Sequence, residues 1–146
     1  STSTEMIKQL CDGSIPALPR MGISVTDVRD VVRTHVLALE APDEQVRGER
    51  FPTATKFMWM REMGEVLRRR APELTGKVPT RAMPDWVVKL LAPFVPAMKQ
   101  VRSELGNVRE VSGKHTEEVL GFAFIDPEQT LEDTLRSLVE RGIVKV

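Results

Sequence analysis

The chain has 146 residues, of which 41% are hydrophobic and 29% charged, and its 21 basic residues balance its 21 acidic residues. This length suits one domain, and the composition is ordinary for a globular protein. A neutral chain lacks the basic surface that binds phosphates, so we expect no nucleic-acid partner. The sequence contains no tyrosine.

Cys11 is the single cysteine, so no internal disulfide and no CxxC metal site can form. Together with the absence of a signal peptide, this favours a cytoplasmic location. Every apolar run is interrupted well before the ~20 residues of a membrane span, so we expect no membrane partner. The chain opens on Ser1 rather than on methionine. That opening suggests a processed or truncated product, or the remnant of a tag.

The first predicted elements are a short amphipathic helix and a short strand. Apolar residues at helical spacing predict a helix over Thr4 to Leu10, which Gly13 ends. Pro16 and Pro19 then enforce an extended passage. Gly22 to Thr26 is predicted to form a strand.

Asp27 is predicted to cap the longest helix of the N-terminal half, which runs to Glu40 and stops before Pro42. Asp30 falls in its first turn, where negative charge is favourable. Valine has weak helix propensity, so this helix should depend on burial against a sheet. Its apolar stripe consists of Val28, Val31, Val32, Val36 and Leu39.

A second strand is predicted over Glu49 to Thr53, and a second long helix over Phe57 to Arg70. Neither this strand nor the first has an obvious neighbour within the chain. A third helix is predicted from Pro84 or Asp85 onward, and Pro93 and Pro96 bend or break it before a further helix that runs to about Leu105. Two more helices are predicted, from Gly113 to Leu120 and from Pro127 to Arg141. Ile143 and Val144 add a short strand or pack as a tail.

Few residues are candidates for chemistry on their own. His35 and His115 are isolated, so a packed or surface role is favoured over catalysis or zinc binding. Asp27 and Asp30 form a potential carboxylate pair, although capping explains both. No catalytic or metal-binding residue is therefore assigned from the pattern. No cofactor-binding residue is assigned either, because no glycine-rich phosphate loop occurs.

Two stretches resemble a known family. They are IPALPRMGISVTDVRDVVRTHVLALE, residues 15–40, and SGKHTEEVLGFAFIDPEQTLEDTLRSLVERG, residues 112–142. Both are similar to the C-terminal region of extended short-chain dehydrogenases, specifically the dihydroflavonol-4-reductase-like NAD(P)-dependent oxidoreductases. Similar tails close many epimerases and dehydratases of the same superfamily. The resemblance therefore indicates the superfamily better than the substrate.

The resemblance implies an α/β fold, the helix-rich C-terminal portion of a Rossmann-type enzyme. The predicted strands at Gly22 and Glu49 would then be late strands of its sheet. The family's glycine-rich loop and its Tyr-x-x-x-Lys pair would lie upstream of Ser1. The intact protein would use NADP or NAD, and this chain alone would bind neither. Pro19, Arg20 and Met21 would lie near the substrate cleft, where Arg20 either meets an anionic group or remains a surface arginine.

Three functions remain open at this stage. Residues 1–146 form either the substrate-binding portion of such an oxidoreductase, not competent alone, or a stand-alone binding or protein-interaction module derived from it. The third is a helical interaction or dimerisation domain that resembles the family by chance. The first implies a small-molecule substrate and a missing N-terminal Rossmann half as partners. If the strands belong to a larger sheet, the valine face and strand edges are uncovered in this chain, and it is a possible homo-oligomer.

Overall fold

The computed structural model describes residues 2–145, without the side chains of residues 2, 3, 97 and 100. Ser1 and Val146 lie outside the described residues. The expectation of a processed or truncated product, which rests on Ser1, therefore falls outside them too. The strands are β1 (Gly22–Val25) and β2 (Lys56–Trp59). The helices are α1 (Thr2–Cys11), α2 (Val28–Glu40), α3 (Asp43–Val46), α4 (Met60–Arg70), α5 (Asp85–Leu91), α6 (Pro96–Glu104), α7 (Lys114–Leu120) and α8 (Pro127–Glu140). The α/β class is confirmed, and none of the described helices is long and apolar enough to cross a membrane.

The two strands pair with each other. They run antiparallel, with Gly22 opposite Trp59 and Val25 opposite Lys56. A Cβ atom on Gly22 would lie 2.4 Å from the Met58 carbonyl oxygen, so glycine permits this close approach. The expectation that the strands lack neighbours in the chain is therefore wrong for β1. Its other edge has no strand partner among the residues described.

The predicted strand over Glu49 to Thr53 does not form. These residues lie in a loop, where the Pro52 carbonyl accepts a hydrogen bond from the Thr116 hydroxyl at 2.7 Å. A strand requires a hydrogen-bonded neighbour, and proline cannot donate to one. The second strand is β2 instead, so the helix predicted from Phe57 starts later. The extended backbone of Trp59 (φ −71°, ψ 149°) marks the start of α4.

The core lies where α1, α4 and α8 meet beneath the strand pair. Both α4 and α1 pack on α8. Leucines and methionines fill this space, and each full burial contributes roughly 1.5 to 3 kcal/mol. The fully enclosed side chains include Leu10, Met58, Met63, Leu67 and Leu135. Val144 is also buried, so the C-terminal residues pack as a tail rather than as a strand.

Two predicted helix starts are confirmed, the Asp27 cap of α2 and Pro127 at the first position of α8, and Asp126 adds a cap that was not predicted. The Asp27 carboxylate accepts the Arg29 backbone N–H at 2.8 Å at the start of α2. At α8, Asp126 accepts the Glu128 N–H at 3.0 Å, and Pro127 occupies the first turn. Each bond spans two residues, so these helix starts are encoded locally.

Helix α2 buries two polar side chains and exposes most of its apolar stripe. Asp30 and Thr34 are buried, and the Asp30 carboxylate accepts the Ile125 N–H at 2.9 Å. The stripe is exposed by 46% to 87% at Val28, Val32, Val36 and Leu39. The weak helix propensity of these valines predicts burial against a sheet. The described residues of this chain do not provide that burial.

Candidate functional site

The Pro19–Arg20–Met21 segment runs between the core and the start of α5. Pro19 is buried and accepts the Met21 N–H through its carbonyl at 2.9 Å. Met21 is half-buried against the core, and its carbonyl accepts the Met60 N–H at 2.9 Å. The backbone is therefore fixed on both sides of Arg20, whose side chain is 61% exposed.

The charge of Arg20 is matched by Asp85 at the start of α5. The Nη2 atom of Arg20 lies 2.6 Å from Asp85 Oδ2, and Nε donates to the same oxygen at 3.2 Å. These hydrogen bonds from the guanidinium lower the pKa of the Asp85 carboxyl. The predicted site residue is thus engaged with a carboxylate of its own chain, through two guanidinium nitrogens that donate to one oxygen.

Arg20 also contacts the loop that follows α6. Its carbonyl accepts the Gly106 N–H at 2.7 Å. Gly106 has a φ of +73°, and a Cβ atom there would lie 2.9 Å from Arg20 Nη2. Sequence reasoning placed Asp85 only at a helix start, and Gly106 directly follows the helix predicted to end at about Leu105, because no sequence signal links either of them to Arg20.

A groove of about 790 Å³ opens beside β1. We call it the β1–α8 groove, because its walls are β1, the first turn of α2 and one side of α8. Apolar side chains from α1 and α8 form part of the lining. The hydroxyl-bearing residues that line the groove are Thr4, Ser24, Thr26, Thr130, Thr134 and Ser137. Pro19, Arg20 and Met21 do not line it.

Asp27 forms part of the wall of this groove and is only 4% exposed. Its carboxylate accepts hydrogen bonds from the Arg29 guanidinium at 2.7 Å and from the Thr130 hydroxyl at 2.9 Å. These bonds lower the pKa of Asp27 to about 2, and the bond from the Arg29 side chain is the largest cause. Asp27 is therefore ionised throughout the neutral range and serves as a structural acceptor, which argues against a role as a general acid.

The second carboxylate of this pair has a different environment. Burial is the main cause that raises the pKa of Asp30, and Asp27 adds to it. Its bond to the Ile125 N–H ties α2 to the loop before α8. The two aspartates act on separate partners, so the capping and packing interpretation is favoured over paired acid–base chemistry.

The remaining candidates have ordinary structural roles. His35 is exposed and its Nδ1 lies 2.7 Å from the Val31 carbonyl oxygen, while His115 Nε2 lies 2.8 Å from Glu49 Oε2. Burial raises the pKa of the Cys11 thiol to about 12, with Asp12 adding to the effect. Among the residues searched, which are those described, no group of three or more potential metal ligands occurs.

No protein-family model matches the sequence. GRP2 of Candida albicans, named as an NADPH-dependent methylglyoxal reductase, is 26% identical over 113 residues. That match covers 77% of this chain and 28% of GRP2. The chain thus spans less than a third of the length of this curated relative.

Solved structures show the same fold. The crystal structure of Gre2 from Candida albicans matches 96% of this chain and 37% of its own, with a TM-score of 0.66 and 20% identity. The crystal structure of gox2253 matches 99% and 46%, with a TM-score of 0.69 and 19% identity. The Gre2 complex with NADPH matches 94% and 36%, with a TM-score of 0.63 and 22% identity. The resemblance to reductases of the extended short-chain dehydrogenase type is therefore confirmed, and the chain is similar to part of an NADPH-dependent reductase.

Proposed function

We propose that this chain is the C-terminal, substrate-binding portion of an NAD(P)-dependent, dihydroflavonol-reductase-like oxidoreductase that reduces a carbonyl of a small organic substrate. The similarity to GRP2 supports this proposal, because that protein is named for NADPH and a small carbonyl compound. The chain has no tyrosine and no glycine-rich phosphate loop. In the proposal, residues outside this chain bind the cofactor, NADPH in preference to NADH, and carry the acid–base pair.

The observation that carries the proposal is the outward-facing stripe of α2. Four apolar side chains lie exposed along one helix face, while the polar residues Asp30 and Thr34 are buried beneath. Monomeric proteins rarely expose such a contiguous apolar surface. Covering a valine or leucine fully contributes about 1.5 kcal/mol or more, so the stripe supports a stable contact. We propose the N-terminal Rossmann half as the partner that covers it.

The proposed substrate site lies beside Pro19, Arg20 and Met21. Their backbone is anchored to the core through the Met60 N–H and to the loop after α6 through the Gly106 N–H. Such anchoring supports precise placement of a substrate against residues supplied by the other half. Asp85 at the start of α5 binds Arg20, and Trp86 is the next residue along the chain. The start of α5 therefore lies next to this segment.

The proposal is tested by expressing the whole reading frame that encodes this chain. The assay follows the absorbance of NADPH, with methylglyoxal as the first carbonyl probe and other small aldehydes and ketones after it. We expect the whole product to oxidise NADPH when a carbonyl compound is present, and the isolated chain to be inactive. A whole product that binds neither NADPH nor NADH in calorimetry contradicts the proposal.

A matched pair of variants tests whether the N-terminal half covers the α2 stripe. Val32→Asp places a charge in the α2 stripe, and Val108→Asp places the same charge at another exposed valine outside α2. In the whole product, Val32→Asp should lower the unfolding temperature and the NADPH oxidation rate, and Val108→Asp should change both much less. Equal effects of the two variants contradict a covered α2 face. They favour the stand-alone module, which also predicts a monomeric isolated chain.

A further inference from the structure

Helices α5 and α6 form a hairpin that stands apart from the core. The two helices pack chiefly against each other, whereas α8 packs against both α1 and α4 in the core. Val88 is buried, but three apolar side chains one turn apart, Trp86, Leu90 and Phe94, are exposed by 60% to 81%. We call residues 85–104 the arm.

Both ends of the arm are tied to one short segment. On the entry side, the Met83 N–H donates to the Leu18 carbonyl at 2.7 Å, and the Leu18 N–H donates to the Arg81 carbonyl at 2.8 Å. On the exit side, the Gly106 N–H donates to the Arg20 carbonyl at 2.7 Å. The backbone hydrogen bonds that flank the arm on both sides therefore converge on residues 18–20.

Arg20 is the residue that holds both ends at once. Its guanidinium binds Asp85, the first residue of the arm, and its carbonyl binds Gly106, just beyond the last. The same guanidinium lies against Gly106, where a Cβ atom would be only 2.9 Å away. Gly106, at φ +73°, has the conformational freedom that a hinge residue needs.

We propose that the arm moves as a unit and that the Arg20–Asp85 ion pair is the latch that holds it in the position seen here. Arg20 is then a positioning residue for α5 and its apolar face. The pair is exposed enough to open and close, because ion pairs of this kind contribute only a small stabilisation. This inference concerns the motion of the chain itself and does not rest on the reductase proposal.

The test is hydrogen–deuterium exchange followed by mass spectrometry on the unaltered chain, on Arg20→Gln and on Asp85→Asn. Both variants should raise exchange in peptides from residues 85–104 by up to about fivefold, the range for an exposed pair. Peptides from α4 and α8 should keep their exchange rates. The double variant should exchange no faster in the arm than either single variant.

Two further measurements make the result decisive. Arg47→Gln removes an exposed ion pair with Asp43 on α3, and it should leave exchange in the arm unchanged. In the unaltered chain, added salt screens the exposed latch, so exchange should rise in the arm before it rises in α4 or α8. Unchanged exchange in the arm of both variants, or an equal rise in α4 and α8, overturns the latch. Inactivity of the whole product would leave these outcomes unaffected.

Discussion

Replacing Asp27 tests how much one buried carboxylate stabilises this fold. Its side chain caps α2 through the Arg29 N–H, binds the Arg29 guanidinium and accepts the Thr130 hydroxyl of α8. Asp27→Ala removes all of these bonds. Asp27→Asn keeps an oxygen that can accept the cap bond but removes the charge. We therefore expect Asp27→Ala to be the more destabilising change.

The expected size follows from the pKa of this group. Its fall from 3.8 to about 2 corresponds to about 2.5 kcal/mol, at roughly 1.4 kcal/mol per pKa unit. Losing an N-cap alone costs about 1 kcal/mol. The Arg29 guanidinium, the largest cause of the shift, is 53% exposed, so solvent screening reduces the contribution of the charge to roughly half of the first figure. We expect Asp27→Ala to lower the free energy of unfolding by about 2 to 3 kcal/mol, and Asp27→Asn by about half as much.

Urea titration at a fixed protein concentration measures both variants. For a chain of this length, the loss from Asp27→Ala corresponds to a fall in melting temperature of about 5 to 10 °C. The control is Asp43→Ala, which removes an exposed ion pair on α3 and should cost less than about 0.5 kcal/mol. If Asp27→Ala costs no more than Asp43→Ala, the cap and the buried network do not stabilise the fold as described.

The pH dependence supplies a second check on the same residue. The pKa of Asp27 is lower in the folded chain, so its stabilisation is fully present above the unfolded pKa of about 4. It is lost as the pH falls through about 2. The difference in unfolding free energy between the unaltered chain and Asp27→Asn should therefore shrink from pH 5 to pH 2. A difference that stays constant over this range refutes the assigned pKa shift.

Three further outcomes are expected of the isolated chain. Calorimetry with NADPH and with NADH should show no binding, because the chain has no glycine-rich loop, and a micromolar Kd for either contradicts this expectation. Light scattering at micromolar concentration should show a dimer or larger species through the exposed α2 stripe, and Val32→Asp should shift it toward monomer. A monomeric unaltered chain refutes that reasoning. Cys11 is buried and its pKa is raised to about 12, so a thiol reagent should modify it much more slowly in the native chain than in urea; equal rates refute its burial.

Short-range signals predicted most of the helices, although they missed α3 and started α4 too early, at Phe57 rather than Met60. The cap of α2 joins Asp27 to Arg29, and the start of α8 joins Asp126 to Glu128, so two or three neighbouring residues contain the information. The leucine stripe of α8 likewise predicts the buried face that packs on α4. The resemblance carried by two stretches predicted the α/β class and the similarity to reductases.

Strand positions could not be read from the sequence with the same success. Residues 49–53 and 56–59 are neighbouring short segments, and only the second finds a hydrogen-bonded partner, in β1. A strand forms where another strand is available at the right register, which is a property of the assembled fold. The helix predicted from Phe57 was shortened for the same reason.

The sequence by itself determined the starts of α2 and α8, the amphipathic stripes and the similarity to reductases, because each is a local or linear pattern. Only the tertiary structure decided which face of α2 is buried and which residue Arg20 meets. Asp30 finds its partner at Ile125, and Arg20 finds Asp85, across separations of 95 and 65 residues. Contacts at such separations depend on how the elements pack, so no local pattern in one sequence specifies them.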